Sequence, residues 1–298
     1  MARHCVTGSS GRIGRSILGL LARDHGVVGI DRLPAPSTDV IADICDEDSL
    51  KRAFDGCECV FHVAALHAPH VDAVPDKEFE QINVVGTEKV FRCAKQQGAE
   101  HVVLTSTTAL YGNAAQEDGR TTWITEQTVP QPRTIYHRTK LAAEEIARSF
   151  ASKRLRVSVI RMSRCFPEPA PLMAAYRLHR GVDARDVALA HWAAVQSQTE
   201  DFGIYNISGA TPFEREDCEA LKADAEAVLR QKAPELAALF DRRGWSLPQS
   251  IDRVYDPAYA KHSLGWESCF GFDEVFAQLD QGSAEVLPVN ALSPGNSK

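Results

Sequence analysis

Three glycines separate the first apolar run of the chain from its first amphipathic segment. The run His4–Val6 leads into Thr7-Gly8-Ser9-Ser10-Gly11-Arg12-Ile13-Gly14. Apolar residues then recur on one helical face, at Ile13, Ile17, Leu20 and Leu21. Glycines let the backbone turn tightly, and they let a phosphate approach the free N–H groups at a helix N-terminus. A strand before the loop and a helix after it therefore predict a pyrophosphate-binding turn.

Short apolar runs alternate with helix-length segments through the first two thirds of the chain. We predict strands at His4–Val6, Val27–Ile30, Val40–Ile41, Val60–Val63, Val102–Leu104, Val157–Ile160 and Ile204–Ile207. Apolar strands of this length, joined by helices, indicate a parallel sheet that is covered on both faces. The predicted fold class is therefore α/β, with a Rossmann-type doubly wound parallel sheet.

Beyond Ile160 the pattern changes, because three prolines interrupt regular structure before a helix predicted over Asp183–Val195. From Pro212 the chain reads as helical, with one face marked by Leu221, Ala225, Val228 and Leu229, and further helices from Pro234 to Phe240 and over Asp273–Leu279. We expect a Rossmann domain over 1–162, completed by 182–209, and a small, mostly helical substrate-capping region over 163–181 and 210–283. Residues 284–298 are expected to form a disordered tail.

Composition excludes several classes of protein. The net charge of -7 comes without a basic block, which argues against nucleic acid as a partner. No apolar run is long enough to span a membrane, and we expect no signal peptide. The eight cysteines are scattered without a CxxC pair, so neither a metal site nor a disulfide framework is expected. A cytoplasmic location fits this cysteine usage best.

An acidic residue ends the second predicted strand. The carboxylate of Asp31 can accept hydrogen bonds from both hydroxyls of an adenosine ribose and would repel a 2′-phosphate, which favours NAD over NADP. Arg32 follows directly and could pair with such a phosphate, so NADP remains the less favoured alternative. Asp43 follows the third strand, where it is either an adenine contact or the N-cap of a helix over Asp46–Phe54.

A phenol and an ammonium lie four residues apart at Tyr136 and Lys140, which places both on one face of a helix. An adjacent lysine stabilises phenolate, and we therefore expect it to lower the pKa of Tyr136 so that the residue acts as a general acid/base. The alternative is a solvated helix face. The hydroxyl-rich run Thr105–Thr108 ends a predicted strand and could hydrogen-bond a reacting carbonyl oxygen opposite the tyrosine.

Taken together, these motifs resemble those of the extended short-chain dehydrogenases/reductases of the NAD-dependent epimerase/dehydratase family. The resemblance runs from about residue 3 to residue 280 and is specific for fold and cofactor class rather than for substrate. Its matching elements are Thr7–Gly14, Asp31, His62–Ala65, Asn83, Tyr111-Gly112, Tyr136 with Lys140, Val182–Ala188 and Leu264–Trp266.

The resemblance implies roles for individual residues. Tyr136 would be the acid/base, and Lys140 would tune its pKa and bind the nicotinamide ribose. Thr107 would be the catalytic hydroxyl, with Ser106 as second choice, whereas Asn83 would hold the adjoining helix and strand. Cofactor contacts would come from Gly8, Ser10, Gly11, Arg12, Ile13, Gly14, Asp31, Arg32, Asp43, Ile44, Ala64, Ala65, Tyr136 and Lys140. The family also implies a homodimer built from the two helices that flank the active-site strand.

Departures from the family pattern concern the substrate. Arg164 stands where nucleotide-sugar enzymes usually carry a substrate-binding asparagine, and Arg177 and Arg180 are out of the usual register. The short segment between Ile160 and Val182 leaves little chain to hold a nucleoside diphosphate. We therefore expect a small, polar, sugar-like substrate. Arg164 either binds an anionic group of it or forms a salt bridge at the domain junction.

These observations favour an NAD(P)-dependent oxidoreductase that moves a hydride between the cofactor and a hydroxyl or carbonyl group. One alternative is a sugar or nucleotide-sugar epimerase/dehydratase that returns the hydride, with no net redox change. Another is a non-catalytic protein that senses dinucleotides; the presence of both Tyr136 and Lys140 argues against it.

Overall fold

The computed structural model describes residues 2–115, 119–197 and 200–289. Within these ranges the strands are β1 Arg3–Thr7, β2 Gly26–Asp31, β3 Val40–Ile41, β4 Cys59–His62, β5 His101–Thr107, β6 Thr122–Ile124, β7 Arg156–Met162, β8 Phe202–Ile207 and β9 Arg253–Tyr255. The helices are α1 Arg12–Leu21, α2 Glu47–Phe54, α3 Asp76–Phe79, α4 Thr87–Gln96, α5 Ile135–Phe150, α6 Ala170–Tyr176, α7 Ala184–Gln196, α8 Cys218–Ala223, α9 Ala225–Lys232, α10 Pro234–Arg243, α11 Ala258–Leu264 and α12 Phe272–Asp280. A π-helical stretch, Glu80–Gly86, joins α3 to α4.

The main sheet among the described residues has seven strands in the order β3-β2-β1-β4-β5-β7-β8. Every pairing in it is parallel. The order reverses between β1 and β4, which opens a crevice at the carboxyl ends of these strands. The predicted α/β fold is confirmed, and each of the seven predicted strands lies in this sheet.

Helices cover both faces of the sheet because alternate strand residues point to opposite sides. Cys5 packs with α2, α4 and α5 on one face. Its neighbour Val6 packs with α1, α7 and α11 on the other face. On α1, Ile13, Ile17 and Leu21 are buried, as their helical spacing predicts.

A second, two-stranded parallel sheet pairs β6 with β9. Sequence reasoning missed both strands, since each has three residues and its partner lies about 130 positions away in the chain. Tyr255 of β9 lies against Leu110 and Tyr111, just beyond the end of β5. This small sheet therefore ties the capping region to the edge of the main sheet where ligands bind.

The capping region packs around its own apolar core, which includes Leu236, Phe240 and Val275. The prediction of one continuous helix over residues 221–229 is wrong, because the apolar residues of its face are divided between α8 and α9. The chain leaves the helical conformation at Asp224, whose side chain accepts a hydrogen bond from the Ala227 N–H and starts α9.

The segment after α12 also differs from expectation, because residues 284–289 are packed rather than free. Val286 is buried. The Leu287 N–H donates to the Glu168 carbonyl at 2.9 Å, and the Ala170 N–H donates to the Leu287 carbonyl at 3.1 Å. These backbone bonds, which local sequence does not reveal, hold the segment against the capping region. Residues 290–298 lie outside the described residues.

In the part of the chain that the structure describes, no helix combines the length and the apolar character needed to cross a membrane.

Candidate active site

A cavity of about 700 Å³ opens at the carboxyl edge of the main sheet. One end is formed by the glycine loop and the ends of β2 and β3. The middle is formed by the ends of β4 and β5 together with α5, and the far end by the capping region. Open α/β sheets place their ligands at this edge, where the strand order reverses.

The glycine loop fits a bound pyrophosphate. Gly8 has φ +71°, a conformation that favours glycine. A Cβ atom on Gly14 would lie 2.1 Å from the Gly8 carbonyl oxygen, so only glycine allows α1 to approach the loop this closely. Gly11 precedes α1 and offers no side chain to the first N–H groups of the helix. Those groups and the helix dipole are therefore available to an anion.

The Asp31 carboxylate is fixed at the rim of this end of the cavity. It accepts hydrogen bonds at 3.0 Å from the Ser10 N–H and from the Leu33 N–H. Asp43 also lines this end, with its carboxylate 3.7 Å from the Arg32 guanidinium. The alternative role predicted for Asp43, the N-cap of α2, is wrong, because Asp46 accepts from the Asp48 and Ser49 N–H groups instead.

All but one of the remaining residues expected beside the cofactor line the same cavity. Ser10, Arg12 and Ile13 do so at the glycine loop, and Ile44 follows Asp43. Ala64 and Ala65 line it after β4. Gly14 does not line the cavity, since it packs α1 against the loop.

Tyr136 lies in the first turn of α5, which begins after the N-cap residue Thr134. Its side chain is 9% exposed and contributes to the cavity wall. Burial raises the pKa of Tyr136 to about 12, and the polar Thr107 side chain beside it partly offsets this shift. The expectation that the neighbouring lysine lowers this pKa is wrong, because desolvation of the phenolate outweighs the other effects.

Lys140 lies one turn further along α5, as its spacing predicts. Its Nζ donates a hydrogen bond to the Thr105 carbonyl at 2.6 Å. Burial lowers the pKa of Lys140 to about 8, and the nearby Glu144 carboxylate opposes this change. The carbonyl at the end of β5 thus holds the ammonium at the cavity wall beside the segment that carries Thr107.

The two candidate hydroxyls at the end of β5 have different partners. Thr107 lines the cavity beside Tyr136 and acts on the pKa of its phenol. The hydroxyl of Ser106 donates to Glu144 at 2.5 Å, away from the phenol. Of the two, Thr107 is therefore the hydroxyl beside Tyr136, and Ser106 connects β5 to the buried charges below.

Sequence reasoning missed a buried network beneath this site. Arg161 of β7 binds Glu144 of α5 at 2.6 Å and donates to the Tyr111 hydroxyl at 2.9 Å. The Tyr111 hydroxyl in turn donates to the Asn206 Oδ1 at 2.8 Å. The network joins α5 to β7 and β8, so it fixes the helix that carries Tyr136 and Lys140. Arg161 could have indicated this network from the sequence alone, because a charged residue next to an apolar strand needs a partner when it is buried.

Asn83 holds the elements beside the site, which agrees with the structural role expected for it. Its Oδ1 accepts from the Leu66 N–H at 2.8 Å, and its Nδ2 donates to the Leu66 carbonyl and to Thr139. Because Thr139 belongs to α5, Asn83 links that helix to the loop after β4.

Arginines dominate the far end of the cavity, next to the capping region. Arg164 lines it, with its Nε and Nη2 both 2.7 Å from one oxygen of the buried Glu168 carboxylate. Arg180 and Arg253 also line it, and both pair with Asp252, at 3.2 and 2.7 Å. The salt bridge considered for Arg164 is therefore present, although the residue also reaches the cavity.

The acidic residues of the cavity wall lie at its opposite end. Of the described residues that line the cavity, only Asp31 and Asp43 carry carboxylates, and both belong to the end formed by the glycine loop, β2 and β3. Arg177, considered with Arg180, instead pairs with the buried Asp183 at 3.0 Å and does not line the cavity. No group of three or more residues able to hold a metal ion occurs among the described residues.

The model of the NAD dependent epimerase/dehydratase family matches residues 4–169, just over half of the chain. Among curated proteins, L-arabinose 1-dehydrogenase (NAD(P)(+)) of Haloferax volcanii is 33% identical over 162 residues, covering 51% of this chain and 63% of that protein. N-acetyl-alpha-D-glucosaminyl-diphospho-ditrans,octacis-undecaprenol 4-epimerase of Escherichia coli O157:H7 is 28% identical over 152 residues, covering 50% and 43%. The match thus spans less than two thirds of either relative.

Two solved structures share the fold along nearly the whole chain. A short-chain dehydrogenase/reductase superfamily protein from Agrobacterium tumefaciens, solved with bound NAD, has a TM-score of 0.71 and 18% identity, covering 94% of this chain and 96% of that one. UDP-glucose 4-epimerase of Thermotoga maritima, solved with UDP-glucose, has a TM-score of 0.68 and 19% identity, covering 94% and 99%. At these identities the likeness establishes the fold.

Proposed function

Because the chain belongs to the NAD-dependent epimerase/dehydratase family, we propose that it is an NAD-dependent oxidoreductase acting on a hydroxyl or carbonyl group of a small polar substrate. The observation that carries the proposal is that the side chains of Tyr136 and Thr107 lie side by side in the wall of the cavity that begins at the glycine loop. When bound there, the nicotinamide would accept or supply the hydride.

Tyr136 would move the proton of the reacting oxygen. With a pKa of about 12, its phenol is protonated at neutral pH and can donate to a carbonyl oxygen during reduction. Thr107 would donate a second hydrogen bond to the same oxygen and fix its position. In the oxidation direction Tyr136 must receive the proton as phenolate, and the Lys140 ammonium on the same helix face would offset part of the cost of that buried charge.

A substrate screen tests the proposed activity. The purified protein is mixed with NAD or NADP and a panel of hydroxy and carbonyl compounds, and the NADH absorbance band is followed. We expect a net absorbance change with at least one small polar compound. Product formation without an absorbance change would instead support epimerisation on retained NAD. Dinucleotide binding with no product from any compound would support the sensor and contradict the proposal.

Asp31 would set the preference for NAD. Its carboxylate is held by two backbone N–H groups and cannot turn away from a 2′-phosphate without losing them. We expect Asp31→Asn to tighten NADP binding relative to NAD by about tenfold, since a like-charge contact is removed. The measurement is the ratio of the two dissociation constants. Asp55→Asn, outside the cavity, is the charge-matched control, and an unchanged ratio in Asp31→Asn would disprove the assignment.

The arginines of the far end would bind an acidic group of the substrate. Asp252 neutralises only one of Arg180 and Arg253, so one positive charge remains at this wall. Two nitrogens of Arg164 are held by Glu168, which makes Arg180 and Arg253 the more available binding groups. A carboxylate is well matched to such paired guanidinium groups.

We expect Arg180→Gln to raise KM for an acidic substrate about tenfold or more while kcat changes little, because a charged hydrogen bond of about 1.5–3 kcal/mol is lost. The corresponding neutral amide should show no such change. Arg243→Gln, which removes an arginine paired with Asp280 outside the cavity, is the control. Equal KM shifts for the acid and its amide would exclude an anion-binding role.

We also propose a homodimer and a cytoplasmic location, with no nucleic-acid partner. The dimer is tested by light scattering of the eluted protein, which should give twice the monomer mass. A monomer at all accessible concentrations would contradict it.

A further inference from the structure

Residues 283–289, which we call the strap, lead from α12 back to the glycine loop. The Glu285 carboxylate forms an ion pair with the Arg12 guanidinium. Arg12 is the first residue of α1 and lines the cavity with Gly8 and Gly11. A negative group is therefore held beside the turn that is built to receive a diphosphate.

Backbone hydrogen bonds fix the strap to the capping region. Leu287 exchanges them with Glu168 and Ala170, at 2.9 and 3.1 Å, and Val286 is buried beside it. The carboxylate of Glu168 in turn binds Arg164. Because the backbone is anchored two residues after Glu285, this carboxylate stays near Arg12 without depending on the ion pair alone.

Arg12 has few other partners. Its guanidinium lies near the Cys165 thiol. Its Nε is buried and has no hydrogen-bond partner among the described residues. The Arg12 side chain is 20% exposed and that of Glu285 is 44% exposed, so solvent and incoming anions can reach the ion pair. Arg12 is thus a cation at the diphosphate-binding turn whose charge is already compensated.

We propose that Glu285 sets the affinity of the protein for the diphosphate group of its cofactor by competing with that group for Arg12. The inference rests on the proposed function in so far as the glycine loop binds a dinucleotide. Binding of a diphosphate releases Arg12 from Glu285, and loss of the Glu285 charge makes Arg12 available beforehand. The effect is confined to ligands that carry phosphate.

The test is calorimetric binding of NAD, ADP and adenosine to the full chain and to Glu285→Gln. A partly exposed ion pair contributes at most about 1 kcal/mol, so we expect the dissociation constants of NAD and ADP to fall about threefold to fivefold. Adenosine should bind equally to both proteins. In an Arg12→Gln background, adding Glu285→Gln should leave the dissociation constants of NAD and ADP unchanged. The cation for which Glu285 and the diphosphate compete is then absent.

Glu267→Gln provides the matched control. It removes the same charge from an exposed pair with Lys261 that does not line the cavity. Unchanged or weaker NAD binding in Glu285→Gln would overturn the inference, and so would an equal shift in Glu267→Gln or for adenosine. If the unaltered chain binds neither NAD nor ADP, the proposed function fails. If it binds NAD but Glu285→Gln behaves identically, only the role of Glu285 fails.

Discussion

Replacing Tyr136 with phenylalanine is expected to lower kcat by about 10²–10⁴-fold, the usual contribution of a general acid/base. The change removes one oxygen atom from a side chain that is 9% exposed, so the packing of α5 is kept. The phenolic hydroxyl beside Thr107 is lost, and with it the proposed proton donor at the reacting oxygen. Dinucleotide binding should remain close to that of the unaltered protein, because the glycine loop and Asp31 are untouched.

The control is Tyr259→Phe, which removes the hydroxyl from an exposed tyrosine ring stacked on Tyr205. It should retain full activity. Thr107→Val should give a smaller loss than Tyr136→Phe, since it removes a hydrogen bond but leaves the proton donor in place. A loss of tenfold or less in Tyr136→Phe would exclude the tyrosine as the acid/base.

Loss of Glu144 is expected to destabilise the fold by about 3–5 kcal/mol, because it leaves the buried Arg161 charge without its partner. The side chains of Arg161 and Glu144 are 5% and 2% exposed. Glu144 also accepts the hydrogen bond of Ser106, so Glu144→Ala leaves a second buried group without a partner. The free energy of unfolding in urea measures the effect.

The matched comparison is Glu88→Ala, which breaks an exposed i,i+4 pair with Arg92 and should cost less than about 1 kcal/mol. The double variant Glu144→Leu/Arg161→Met should be more stable than Glu144→Ala, since no buried charge is left unpaired. If Glu144→Ala and Glu88→Ala lower the unfolding free energy equally, the buried network does not support α5.

The sheet was predictable because its strands carry their own pattern. Val102–Leu104 is apolar, and Val157–Ile160 is apolar except for Ser158. A segment with helical spacing lies next to each of these runs in the sequence. The strands β6 and β9 have no such pattern, since three residues cannot show an alternation that distinguishes them from a loop. Their pairing depends on how the capping region folds back onto the sheet, which is a tertiary property.

The site was predictable where function requires a fixed spacing along one element. The four-residue separation of Tyr136 and Lys140 and the glycines of the loop are of this kind. The pKa of Tyr136 was not predictable from the sequence, because the raised value comes from the burial of its side chain in the folded protein. The position of Glu285 beside Arg12 was missed for a similar reason, since backbone bonds to Glu168 and Ala170, far away in the sequence, hold its segment there.

The most direct measurement is a crystal structure of the protein with NAD bound. The diphosphate is expected at the start of α1, and the reactive face of the nicotinamide should face the Tyr136 and Thr107 hydroxyls, with room for one small carbonyl compound between them. A nicotinamide bound outside this cavity, or a Tyr136 hydroxyl turned away from it, would contradict the proposed chemistry.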